Sequence, residues 1–254
     1  MWGFGLNQNY KNIRQKANRL SRQYHLPSHL ALSIARGEIT LRDGLRKNMI
    51  RQRAINLEKN EGLSRSDALQ VARGEMTLEH AKLAQRSRDH LSKNEYRSIL
   101  ISAHKNKQPV TLYLHGLRVV EGFIEAIDPY EISFLSLENK QDNAQDQDKL
   151  EQIHKLDIKA ARNMTSQHIP SSLGSEDKVC TPISAPKDRF RISSKHLFTF
   201  HQDNQTVRFT LLEGLSVEGI VSWVGRFEFG LKDCRGAELI CFRHALQGYQ
   251  LPKE

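Results

Sequence analysis

VRFTLLEGLSVEGIVSWVGRFEFGLKDCRGAELICFRHALQGYQLP, residues 207 to 252, is the stretch on which the fold turns. Apolar residues alternate through Val207, Phe209 and Leu211, and again through Val217, Gly219, Val221 and Trp223, which is the period of a half-buried strand. Glu213-Gly214, Val224-Gly225 and the run from Asp233 to Gly236 supply turns between the runs. This spacing predicts about five short strands, with too few apolar positions for two packed sheets but enough for one strongly bent sheet closed on itself. The segment ends on an unusual polar signature, Phe242-Arg243-His244-Ala245.

A second copy of this pattern lies upstream, where residues 95 to 139 read EYRSILISAHKNKQPVTLYLHGLRVVEGFIEAIDPYEISFLSLEN. Tyr96, Ile99, Leu100 and Ala103 share one helical face, and Pro109 stops that helix. Strand-like alternation follows. A polar insertion at 139–148, rich in Asn, Gln and Asp, separates it from a last segment in which Ile153 to Ile158 stands in the place of the signature. Lys155 keeps the cation there, while Leu156 replaces the histidine. The downstream copy, read alone, lacks the preceding helix.

The amino-terminal third carries an internal repeat. Arg14-Gln15-Lys16-Ala17 matches Arg51-Gln52-Arg53-Ala54, and the run from Ile34 to Leu41 matches Val71 to Leu78, both at an offset of 37 residues (51 − 14). Each unit reads as a long basic helix, an entry at Pro27-Ser28 or Ser64, a short helix ending at Gly37 or Gly74, and a threonine that starts the next helix. Leu30, Ala31 and Ile34 form an apolar face in the first unit, and Asp67 interrupts the matching face of Ala68 and Val71 in the second. The chain has a net charge of +9, and up to Lys93 there are 18 Lys and Arg against 8 Asp and Glu. The remainder is nearly neutral, so the basic third points to a polyanion through phosphate contacts. Nothing in the sequence selects groove-reading over docking for this module.

The segment from Val207 resembles the bacterial RNA chaperone Hfq, of the Sm and Sm-like (LSm) superfamily, across its five strands. The features that carry the resemblance are Leu212-Glu213-Gly214-Leu215, Val217-Glu218-Gly219, Phe227 and Phe242 to Ala245, where the family has Tyr-Lys-His-Ala. The upstream copy resembles the family's first half through its helix, Pro109 to Tyr113, Val120-Glu121-Gly122 and Asp128-Pro129-Tyr130. With the helical repeat, the resemblance implies an α+β chain: a basic helical module at 1–92, one five-stranded Sm-like barrel at 93–162, a linker at 163–190 and a second barrel at 191–254.

It also implies RNA-binding residues. Phe227 matches the ring that stacks on a base in the inner site, and Arg243 and His244 match the cation and histidine that contact base and phosphate, with Phe242 leading the signature. Arg226 stands where the family has Gln. Tyr130 and Lys155 are the matching aromatic and cation of the first copy. Tyr113 corresponds to the aromatic of the adenine-reading face, and Lys105 and Lys107 to the basic rim. Unstacked bases laid on aromatic rings or guanidinium planes are how single-stranded RNA is recognised.

Two readings follow. One is an Hfq-related post-transcriptional regulator or RNA chaperone that binds single-stranded RNA; the other is an Sm-like assembly scaffold or protein-interaction module. In the family the fourth and fifth strands stay unpaired unless a neighbour supplies an edge, which implies that the two barrels of one chain can pair with each other and three chains then make a ring of six; the linker permits pairing within or between chains. No nucleophile elbow, phosphate loop or HExxH motif occurs, so no enzyme, cofactor or metal is expected. Cys180, Cys234 and Cys241 have no metal-type spacing, which with the lack of a long apolar run points to the cytoplasm and away from a membrane.

Overall fold

Hydroxyl caps and glycine ends divide the basic amino-terminal third into helices. The computed structural model describes residues 4–137, 150–164, 172–173 and 182–251, and places 1–86 and 87–254 in two units. The polar insertion expected at 139–148 and most of the linker expected at 163–190 lie outside the described residues.

The first unit holds α1 (Phe4–Tyr24), α2 (Ser28–Ala35), α3 (Leu41–Glu61), α4 (Arg65–Arg73) and the start of α5 (Leu78–Lys93). The hydroxyls of Thr40, Ser64 and Thr77 accept the amides of Asp43, Asp67 and His80 at 3.1, 3.3 and 3.2 Å, each cap worth about 1 kcal/mol. Gly62 and Gly74 end α3 and α4 with φ of 64° and 79°, a region where a side chain is strained. At α2 the cap is Pro27, which supplies no side-chain bond, so the serine expected to cap this helix does not. Leu30, Ala31 and Ile34 are buried as their spacing predicts, and Asp67 is tolerated among Ala68 and Val71 because it accepts the Ser64 hydroxyl at 2.8 Å.

The second unit repeats one motif: a helix and five strands. Its first lobe is α6 (Ile99–Asn106), β1 (Val110–Leu114), β2 (Val119–Ile127), β3 (Glu131–Ser136), β4 (Glu151–His154) and β5 (Ile158–Asn163). After β6 (Ser172–Leu173), the second lobe is α7 (Ser194–Gln202), β7 (Thr206–Leu211), β8 (Leu215–Val224), β9 (Glu228–Lys232), β10 (Glu238–Phe242) and β11 (Leu246–Gln250). The downstream copy therefore has the helix that the sequence reading denied it. Leu197, Phe198 and Phe200 are its buried face.

The lobes match without a gap at an offset of 97 residues (201 − 104) from the helix through the third strand. His104 and His201 each bond through Nδ1 to a strand carbonyl, Ile124 at 3.0 Å and Val221 at 2.9 Å. The register of β2 with β3 shifts between Ile124 and Ala126, and that of β8 with β9 between Val221 and Trp223, so both long strands bend at the same place. The glycine of each Val-Glu-Gly has a steric reason: a Cβ on Gly122 or Gly219 would lie 2.0 or 2.5 Å from the carbonyl oxygen of Leu135 or Lys232. The tight turns Gly116-Leu117 and Glu213-Gly214 have positive φ at both central residues, as two-residue hairpins require.

Two separately closed barrels are not what these strands form. Hydrogen bonding runs as one antiparallel sheet in the order β11-β7-β8-β9-β10-β5-β1-β2-β3-β4, with β6 added to β8, and the sheet is not closed. The edge that closure would have satisfied is satisfied by the other lobe: Ile240 and Cys241 of β10 pair with Ala161 and Ala160 of β5. Cores are shared across this seam. Trp223, Ile240 and Phe242 pack with the first lobe, and Tyr113 and Ala160 with the second.

A buried ion pair ties the seam. Lys159 Nζ on β5 donates to Glu213 Oε2 at 2.5 Å, and the carboxylate also accepts the amides of Gly116 at 2.9 Å and Leu117 at 3.4 Å. Burial pushes the Glu213 carboxyl up, but the Lys159 hydrogen bond and charge, together with the two amides, outweigh it and hold it at about 2. A carboxyl depressed below its ordinary 4.5 stabilises the fold fully above that pH, and the contribution is lost as pH falls toward 2. Glu213→Gln is expected to lower unfolding free energy at neutral pH by about 3 to 5 kcal/mol, because an ammonium is left buried without its partner. Urea denaturation checks this, and the gap between variant and parent should narrow as pH falls from 4.5 toward 2.

Candidate nucleic-acid interface

The loop after the long bent strand has the same form in both lobes and presents one aromatic ring in each. Arg243 N donates to the carbonyl of Phe227 at 2.9 Å, and Lys155 N donates to that of Tyr130 at 2.8 Å. These bonds tie the short helical turn before the last strand to the aromatic loop. The rings stay outside: Phe227 is 67% exposed and Tyr130 74%. Both line one cleft of about 1230 Å³ that spans the two lobes. Arg226 lies over the Phe227 ring at 5.1 Å, a cation–π contact that widens the flat surface.

Lys155 and Arg243 also line the cleft, each partly engaged. Lys155 Nζ donates to the carbonyls of Asp128 and Pro129. Burial lowers the pKa of its ammonium, against the opposing pull of Asp128. The Arg243 guanidinium donates to the carbonyls of Ile192 at 2.6 Å and Gly225 at 3.3 Å and to the Ser194 hydroxyl at 2.9 Å. It braces the Phe227 loop as well as facing the cleft. His244 reaches across the seam, with Nε2 2.9 Å from the Ile158 carbonyl of β5, so the proton sits on Nε2. Burial pulls its pKa down to about 4 against that bond, leaving a neutral imidazole that joins the lobes.

Of the remaining residues singled out from sequence, Phe242 reaches the cleft wall but is 6% exposed and packs in the first lobe's core. Tyr113 is buried in the core of the second lobe, away from the cleft, and burial raises its pKa. Lys105 lies in the last turn of α6 and Lys107 is its left-handed cap; both are exposed and neither lines the cleft. Tyr96 is not on the helical face expected of it: α6 begins at Ile99, and Tyr96 stands before it, 84% exposed at the cleft with Phe190.

Sequence reasoning missed Glu228 altogether. It follows Phe227 on β9, is buried, and accepts the Ile99 amide at the start of α6 at 3.3 Å, so a carboxyl of the second lobe caps the helix of the first. Burial raises its pKa to about 7 against the opposing bonds from Ser98 and Ile99 and the charge of Arg97. The alternation Arg-Phe-Glu-Phe marks the position as strand but not as buried.

The chain is thus an α+β protein with a basic helical unit and a duplicated helix-plus-five-strand unit. The 1.55 Å crystal structure of the pleiotropic translational regulator Hfq is similar to it at 20% identity, over 28% of this chain and 100% of that one, with a TM-score of 0.23. Neither a family model nor a curated protein matches the chain. No described helix is long and apolar enough to cross a membrane.

With a folded pKa near 7 against an ordinary 4.5, Glu228 holds its proton in the native state where the unfolded chain has lost it. Its effect on stability is most favourable below pH 4.5 and declines as pH rises through 7. Glu228→Gln is expected to remove that decline, so the variant gains on its parent between pH 5 and pH 8 in paired urea denaturation curves. Parallel curves across that window would refute the buried-acid assignment.

Proposed function

We propose that the cleft binds single-stranded RNA, with unstacked bases on Phe227 and Tyr130, and that the protein acts on RNA as an Hfq-related regulator or chaperone without catalysing a reaction. The observation that carries this is the pair of exposed rings on matching loops, opening into one cleft with Lys155, Arg226 and Arg243. Exposed rings with guanidinium neighbours suit sequence-tolerant stacking. The sequence resemblance to the Sm-like family at the same positions supports the reading. In it, Arg226 adds a stacking plane, Arg243 and Lys155 supply positive potential while bracing the loops, and His244 is a positioning residue.

Phe227→Ala and Tyr130→Ala are each expected to weaken binding of a short uridine- or adenine-rich RNA by about 1 to 3 kcal/mol, roughly 5- to 150-fold, in fluorescence anisotropy. Unchanged affinity in both variants, with folding intact by circular dichroism, would favour the assembly scaffold.

The two Sm-like lobes also support association of chains in this reading. The outer strands β4 and β11 are the counterparts of β10 and β5, the two that pair inside the chain. Repeating that pairing between chains extends the sheet head to tail, and three chains close a ring of six lobes. Light scattering is expected to give about three times the chain mass of 29.2 kDa. A monomer at every concentration tested would overturn the ring.

A further inference from the structure

The whole net charge of the protein resides in the helical unit, where residues 1–86 carry 16 Lys and Arg against 7 Asp and Glu, or +9. Its distribution on α3 is more specific than a basic average. Arg42, Arg46, Met49, Arg53, Asn56 and Asn60 recur at the spacing of a single helical face, and all are exposed, Met49 at 72%. The face runs about 27 Å along the helix at 1.5 Å per residue. No acid falls on it. Asp43 is turned to the Thr40 hydroxyl at 2.7 Å and Glu61 to Lys82 at 2.6 Å. Among the described residues, no ion pair involves Arg42, Arg46 or Arg53; those of this unit use Arg36, Arg73 and Lys82.

The 37-residue repeat places the same chemistry on α1. Asn12, Lys16, Arg19 and Gln23 are exposed and occupy the positions of Met49, Arg53, Asn56 and Asn60. Cation stays cation at Lys16 and amide stays amide at Gln23, while Arg19 stands where α3 has Asn56 and Asn12 where it has Met49. All of α1 contains no Asp or Glu. A face that is merely solvated needs no such selection, since interspersed acids would serve it as well.

Which polyanion fits follows from what the face lacks. It bears no aromatic ring, and single-stranded RNA is held by stacking on rings. The deep, narrow major groove of A-form RNA does not admit a helix, whereas the major groove of B-form DNA, about 12 Å wide, does. Arg and Asn are also the side chains that pair bidentately with guanine and adenine edges there. We propose that the exposed Arg42–Asn60 face of α3 is a docking surface for double-stranded DNA, lying in its major groove, as a second binding function separate from the cleft.

The test uses the full chain and a 20-base-pair DNA duplex, with an RNA duplex of the same sequence and a single-stranded RNA as parallel probes, in anisotropy titrations over a range of salt. Arg46→Ala/Arg53→Ala is expected to weaken DNA-duplex binding about tenfold or more and to reduce the slope of log affinity against log salt by about 1 to 2. Phe227→Ala should leave duplex binding unchanged, which separates this face from the cleft. Lys16→Ala/Arg19→Ala reads the contribution of α1. These five side chains are exposed, and a melting curve checks that the variants fold. No DNA-duplex binding at low salt, equal binding by the Arg46/Arg53 variant, or a preference of this face for either RNA probe overturns the proposal.

Discussion

The contact between Lys159 and Glu213 is the constraint on which the second unit depends. A carboxylate with no solvent exposure must be paired or neutralised, and here it is held ionised by an ammonium and two amides contributed by the other lobe. It ties the turn between β7 and β8 to β5 and to the Gly116-Leu117 turn, and the His244 to Ile158 bond joins the same two lobes. With the lobes locked, the Tyr130 and Phe227 loops open on one side and become a single cleft. The site is a consequence of the seam.

Much of this was legible in the sequence because it rests on local pattern. Strand alternation at Val207 to Trp223, the glycines of both Val-Glu-Gly triplets and the capping hydroxyls Thr40, Ser64 and Thr77 each act within a few residues. The two Val-Glu-Gly triplets stand 97 residues apart (217 − 120), but the helix α7 that extends this match was not legible. Ser194 to Gln202 has a short apolar face broken by histidines, and His201 earns its place through a carbonyl twenty residues away that no local pattern reveals.

Features of the seam were not legible, because sequence periodicity carries no information about which edge meets which. Tyr113 reads as an exposed face residue and is buried because the second lobe covers it. Phe242 reads as part of the binding signature and Glu228 carries no signal of burial, yet one fills the first lobe's core and the other caps its helix. Closure of each barrel was the expectation for an isolated lobe. Covalent linkage raises the effective concentration of the neighbouring edge, so pairing between lobes replaces it.

The loss of histidine from the first copy takes a different meaning in this light. If β4 and β11 of two chains paired as β10 and β5 do, Leu156 would stand where His244 stands, Gln247 where Lys159 stands and Gly116 where Glu213 stands. None of those could remake the buried ion pair or the imidazole-to-carbonyl bond. In the proposed ring the junction inside the chain would therefore be the stronger of the two, and its polar groups would discriminate against exchanging it for the junction between chains. Buried charge contributes less to net stability than to choosing one pairing over its near-equivalent. In that ring the divergence of Phe242 to Ala245 from its upstream counterpart would specialise two edges, one for the seam within the chain and one for association, which a pair of identical copies could not distinguish.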